Sequence, residues 1–248
     1  RRVLFRSKGR MHMEYNSMNQ YGQAEGFAGE SLSTYTAKTF LWMFAGLLVT
    51  FAMAYTGYAT GITMLVFSNP YGIFVITGIE LFVVISMSAR IHKISVSAAR
   101  AMFLFYAALN GIVFSAYFLL IGSGMLIFIF GATSVFFGLM AAVSYVAKID
   151  LSRIRPLLIG GLLFLIVFNL LSTFLNLTAM ETGICYLGII IFLALTAYDV
   201  GMIRRNYEYF SSNSELLAKA SIFSALQLYL DFINLFLYLL RLFARNRN

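Results

Sequence analysis

The sequence predicts an all-α polytopic membrane protein of seven transmembrane helices, the last of them running through the interior of the bundle. Three observations carry this. Only 11% of the 248 residues are charged and 60% are hydrophobic, where a soluble domain would carry about 25% charged residues. Seven apolar runs each come near the roughly 20 residues needed to cross a hydrocarbon core of about 30 Å. Lys and Arg gather in alternate connections between those runs, as they do when a chain weaves through a bilayer. Mean hydropathy is +0.83, and no run shows the two-residue alternation of a membrane barrel strand.

The elements follow in order. The basic opening RRVLFRSKGR leads into polar MHMEYNSMNQYGQAEG, so no cleavable signal peptide is evident. Met11, Met13 and Met18 are all candidate starts, and residues 1–12 are left out of the fold reading. Residues 1–37 are expected to form a polar, disordered tail. A seven-helix membrane domain is expected over 38–243 and a basic tail over 244–248. The apolar runs fall at 39–56, 71–89, 99–121, 125–147, 157–175, 183–203 and 222–240. YTGYATG, FSNPYG and IGSG read as connectors, and the two prolines, Pro70 and Pro156, each sit just before a run. Tyr55, Tyr58 and Tyr71 fit an interfacial aromatic belt. Cys185 is the single cysteine, which excludes an internal disulfide and reads as a small buried hydrophobe.

Orientation follows from the flanking cations. Arg1, Arg2, Arg6, Lys8, Arg10 and Lys38 precede the first run; Arg90, Lys93 and Arg100 flank the second connection. Lys148, Arg153 and Arg155 flank the fourth, and Arg204, Arg205 and Lys219 the sixth, while the other three connections carry none. A cytoplasmic N-terminus is therefore expected. Seven crossings place Arg241, Arg245 and Arg247 outside, against that rule, and a re-entrant last segment would bring them back. Seven full spans are preferred because 222–240 is long enough and has no Gly or Pro break. The net charge of +8 thus points to a bilayer partner rather than to nucleic acid.

Three acidic residues lie within spans: Glu80, Asp199 and Asp231. A carboxylate at membrane depth costs about 2.5–3.5 kcal/mol on the lenient insertion scale and normally faces a protein interior or a water-filled cavity. Glu80 and Asp231 read as mid-membrane, and Asp199 as about 6 Å inside the cytoplasmic boundary. By depth, the three are expected to converge in the cytoplasmic half of the bundle. In the last run Ser224, Gln227, Asp231, Asn234, Tyr238 and Arg241 recur at alternating spacings of 3 and 4, which puts them on one helix face. Such a stripe on an apolar helix must face protein or water. Interhelical hydrogen bonding would explain Asn and Gln but not Asp231. Asn110 and Asn169 read as satisfied packing polars.

Absences narrow the chemistry. The two histidines, His12 and His92, fall outside the spans, and no span contains a lysine. Neither a His/Glu zinc site, nor a retinal Schiff base, nor an activated serine is expected at membrane depth. The chain is not expected to be an enzyme or to need a cofactor.

YLDFINLFLYLLRLF (229–243), preceded by AYDVGMI (197–203), resembles the signature of the Bax inhibitor-1 family of transmembrane Bax-inhibitor-motif proteins, particularly its bacterial calcium-leak branch. The likeness covers the body from about residue 38 onward. One departure is visible: Val200-Gly201 stands where many members carry Thr-Gln. The resemblance implies six helices around a central seventh and a pH-sensitive calcium leak. It implies a proton-sharing pair in Asp199 and Asp231, an acidic residue of the second span in Glu80, and an arginine latch for which Arg90 is the candidate. It favours a bacterial cytoplasmic membrane. Two carboxylates a few ångströms apart in a poorly solvated site cannot both ionise easily and titrate as a unit. Calcium, the permeant ion, wants six to eight oxygens; Asp199 and Asp231 would hold it weakly, with Glu80, Asn234, carbonyls and waters in support. Two other readings stay open: a calcium/proton antiporter, and a non-transporting regulator that binds membrane proteases or cell-death regulators.

Overall fold

The computed structural model describes residues 30–69, 71–90, 93–147, 151–175 and 180–245. Residues 1–29 of the expected tail, and with them His12, lie outside the described residues, as do His92, Lys148 and Arg247. Every element is helical: α1 (Leu32–Thr60), the short α2 (Ile62–Ser68), α3 (Gly72–Arg90), α4 (Val96–Leu120), α5 (Ser123–Ala147), a 3-10 turn (Ser152–Ile154), α6 (Arg155–Leu175), α7 (Glu181–Phe210) and α8 (Ser214–Arg245). Seven segments among the described residues are long and apolar enough to cross a membrane. A helix closes its own backbone hydrogen bonds, which hydrocarbon would otherwise leave unmade.

The expected runs are all present, but most of the helices are longer. α1 starts at Leu32, inside the stretch expected to be tail, and runs through Tyr55–Thr60, which had read as connector. Hydropathy senses contact with lipid, whereas a helix stops only where its backbone is broken. For α1 the break is Gly61, at φ 77°, a left-handed turn that glycine adopts freely. Gly122, at φ 86°, does the same for the tight turn between α4 and α5. α7 and α8 also overrun their apolar cores, meeting in a short turn where Asn213 Oδ1 accepts from the Leu216 N–H at 2.9 Å and caps α8.

α8 is the central helix. In its membrane window 72% of residues are buried, against 17–50% for the other six. It packs against α1, α4, α5 and α7; α6 lies on α7, and α3 lies on α4. Outward-facing surfaces are lipid-like, with Phe74, Val146 and Phe174 all exposed. α8 is unbroken from Ser214 to Arg245, and Arg245 pairs with Glu181 at the start of α7 at 3.0 Å. The last segment therefore runs the full length of the bundle and is not re-entrant.

Polar contacts seat α8 on its α1–α4 side. Thr50 Oγ1 lies 3.0 Å from the Gly46 carbonyl and 2.9 Å from that of Ala107. It is also 2.7 Å from the hydroxyl of Tyr229, whose ring takes edge contacts from Phe103 and Tyr106. With the Thr50 hydrogen taken by a carbonyl, Tyr229 is left to donate. Tyr229→Phe is expected to cost about 1 kcal/mol, because one buried hydrogen bond is lost while Thr50 keeps its carbonyl partners. The melting temperature of the purified protein in detergent should fall by about 2–4 °C.

Candidate functional site

Asp199 of α7 and Asp231 of α8 are buried, 9% and 5% exposed, and their carboxyl groups lie close enough to act directly on each other. A hydrogen bond between them would need a proton on one of the two groups, because an ionised carboxylate only accepts. Asp231 Oδ2 is buried and has no hydrogen-bond partner among the described residues. Arg155, the first residue of α6, is the cation whose charge reaches Asp199. Ser144 of α5 donates to the Ala197 carbonyl at 2.6 Å, tying α5 to α7 beside the pair. A cavity of about 580 Å³ opens next to this point, between α1, α5 and α7, with Thr36, Ser144, Val200, Arg204 and Glu208 in its wall.

Asp199 had read as shallower than Asp231. Both α7 and α8 overrun their apolar runs, so depth counted from the run ends did not give the register between the two helices.

The rest of the polar stripe lies along the same seam. Ser224 Oγ accepts from Asn206 Nδ2 of α7 at 3.0 Å. The ring of Tyr238 stacks on Phe192 at 5.8 Å, and its hydroxyl accepts from Asn169 Nδ2 of α6 at 2.9 Å. Arg241 Nη1 donates to Asn169 Oδ1 at 2.6 Å. Asn234 returns its amide to the Leu230 carbonyl at 2.8 Å, and Gln227 is half-buried. Gly188 lets α7 approach here: a Cβ at that position would lie 2.6 Å from the Tyr238 ring.

Glu80 does not join the pair. Its charge acts on Tyr106 and Tyr229, and its Oε1 is buried without a partner among the described residues. Tyr229 and Asp231 are two residues apart, about 200° around α8, so Glu80 belongs to the side of α8 opposite Asp199. No group of three or more His, Cys, Asp or Glu side chains forms among the described residues. The expected three-carboxylate convergence is thus a pair plus a separate acid. Arg90 is exposed at the end of α3, and the cation near the pair is Arg155. Neither Arg155 nor Ser144 stood out in the sequence. Asn206 had a signal: it follows Asp199 by seven residues, as Asp231 follows Ser224.

Seven apolar helices, with two buried carboxyl groups on neighbouring helices in their midst, define an integral, multi-pass membrane protein. The chain matches the family described as "Inhibitor of apoptosis-promoting Bax1" over residues 32–248. The inner membrane protein YbhL of Escherichia coli K12 is 35% identical over 218 residues, 87% of this chain and 93% of the relative. An uncharacterized protein of Borreliella burgdorferi is 36% identical over 86% of this chain and 93% of its own length. One of Deinococcus radiodurans is 36% identical over 91% of this chain and 96% of its own. The chain belongs to the Bax inhibitor-1 family.

Proposed function

We propose that this protein is a pH-sensitive calcium leak channel whose conducting state is set by the Asp199–Asp231 pair. The observation that carries the reading is the close approach of two buried carboxyl groups on neighbouring helices. While the pair holds a proton, it joins α7 to α8. Raising the pH removes the proton and leaves two like charges in contact, which drives the helices apart at that level. Asp199 is then free to turn toward Arg155, and the vacated oxygens become donors for a hard cation. Glu80 supplies a second acidic station on the other side of α8. The basic end of the bundle, with Arg90, Arg155 and Arg204, is the cytoplasmic end by the distribution of cations. The relative YbhL, an inner membrane protein of Escherichia coli, favours a bacterial inner membrane.

The test is calcium entry into liposomes reconstituted with purified protein, followed with an entrapped indicator across a pH series. Passive, pH-dependent entry down the calcium gradient is expected. Absence of entry at every pH would sink the proposal. Uphill calcium movement driven by a proton gradient would replace the leak with an antiporter.

A further inference from the structure

A second cavity, of about 400 Å³, lies against α8 between α1, α4 and α5. The α8 residues in its wall, Phe232, Ile233 and Phe236, stand roughly 100–200° around the helix from Asp231, so it faces away from the aspartates. Helix α5 is held by α7 and α8, meets α4 sparingly and makes little direct contact with α1 among the described residues. A cleft is left between α1 and α5, and α8 is its floor. Leu47, Ala54, Leu126 and the three α8 residues are all buried. Phe44, Leu48 and Phe51 of α1 and Ile127 of α5 form the rim, each more than half exposed. These rim residues belong to membrane-spanning segments, so the mouth opens sideways into hydrocarbon.

Water is a poor occupant for this space. Thr50 is the one polar side chain in the wall, and its hydroxyl is already engaged by Gly46, Ala107 and Tyr229. Apolar cavities without free polar partners stay dry. Empty space is not neutral either, because atoms lining a void lose dispersion contacts on that side. Length then selects among apolar fillers. Phe44 to Ala54 covers about 15 Å along α1, half of a hydrocarbon core of about 30 Å and hence the reach of one leaflet's acyl chain. The cavity also keeps to one leaflet. Leu126 and Ile127 follow the turn at Gly122, which carries no Lys or Arg, so the cleft lies in the half of the bundle opposite the basic connections.

We propose that this cleft is a binding site for one acyl chain of a bilayer phospholipid, which enters past the α1 and α5 rim and lies against Phe232, Ile233 and Phe236. A chain leaving the bilayer for such a site gains no hydrophobic energy, because lipid tails are as apolar as its walls. Shape and dispersion hold it instead. The aromatic floor is preformed for this. Phe130 lies 5.3 Å from Phe232 and 6.5 Å from Phe236, and Phe114 lies 5.5 Å from Phe236. The site stands apart from the leak reading, since contact defines it and labelling, not flux, reads it out.

The test uses the full chain in vesicles of phosphatidylethanolamine and phosphatidylglycerol, with a trace of phosphatidylethanolamine carrying an aryl-trifluoromethyl diazirine at the end of one chain. After photolysis, adducts mapped by mass spectrometry should appear on Phe232, Ile233 and Phe236, which are buried from the surrounding lipid, as well as on Phe82 and Leu163, which are exposed to it. Leu48→Trp combined with Ile127→Trp narrows the mouth at two positions that already face lipid. In that variant the floor adducts should be lost while those on Phe82 and Leu163 persist. If the double variant does not fold, each single substitution replaces it and should weaken floor labelling alone. Adducts on Phe82 and Leu163 with none on the floor overturn the site, as do floor adducts that the rim variants leave unchanged. Floor adducts from a free diazirine fatty acid but not from the phospholipid overturn the phospholipid as its occupant.

Discussion

Asp231→Asn is expected to flatten the pH profile of calcium flux while leaving the protein folded. The amide is nearly isosteric with the carboxyl and donates to Asp199 whatever the pH, so the link between α7 and α8 no longer depends on a titratable proton. In the wild type, two states that differ by one bound proton change their ratio by up to about tenfold per pH unit. The sign follows from the hydrogen bond. The proton-bound, paired state is favoured at low pH and loses population as the pH rises and the proton leaves. Spin labels placed on the lipid-facing sides of α7 and α8 should therefore move apart with rising pH in the wild type and hold a constant separation in Asp231→Asn. Asp199→Asn should behave alike, and the double variant should add little, because the two residues act as a unit. A pH profile that survives in both single variants would remove the pair from the gating step and leave it as packing.

The spans and the central helix were legible because each rests on a strong one-dimensional signal. Lipid contact imposes long apolar runs, and the 3-and-4 spacing of Ser224, Asp231, Asn234 and Tyr238 fixes a face without reference to any other helix. Azimuth between helices is a different matter. Glu80 has a depth close to that of Asp231, but its helix lies on α4, on the Tyr229 side of α8, and depth alone carries no such information. The register of α7 against α8 was partly readable. Seven-residue steps take Asp199 back to Phe192 and on to Asn206; the same steps take Asp231 on to Tyr238 and back to Ser224. Each of the three resulting pairs is in contact, as expected for antiparallel helices whose matching positions recur every two turns. Arg155 was hidden for another reason. Among several cations flanking the basic ends, nothing in the chain distinguishes the one whose charge reaches Asp199, and that neighbour is selected only once the helices are packed.

Gly111→Val should have a large effect on stability. α1 and α4 form the most extensive helix pair in the bundle, and Gly111 of α4 lies against the backbone of α1. A Cβ at this position would lie 2.5 Å from Met53 Cβ, 2.6 Å from the Thr50 carbonyl oxygen and 3.2 Å from the Ala54 nitrogen. Two of those three atoms are backbone, so no side chain can rotate away and α1 as a whole must shift. Overpacking of a well-filled interface costs about 1–3 kcal/mol, occasionally more, and a clash with backbone belongs at the upper end. Small residues are what allow such close approach between membrane helices. The displacement would not stay local, since Thr50 also holds Ala107 and Tyr229; moving α1 therefore unseats α8, which carries Asp231. Reduced thermal stability in detergent and a shifted pH profile of calcium flux are expected together. Gly131 supplies the control: a Cβ there meets nothing within 4 Å, so Gly131→Ala should stay within about 0.5 kcal/mol of the wild type. Equal melting temperatures for Gly111→Val and Gly131→Ala would show that the α1–α4 contact is looser than these distances require, and that the seating of α8 does not depend on it.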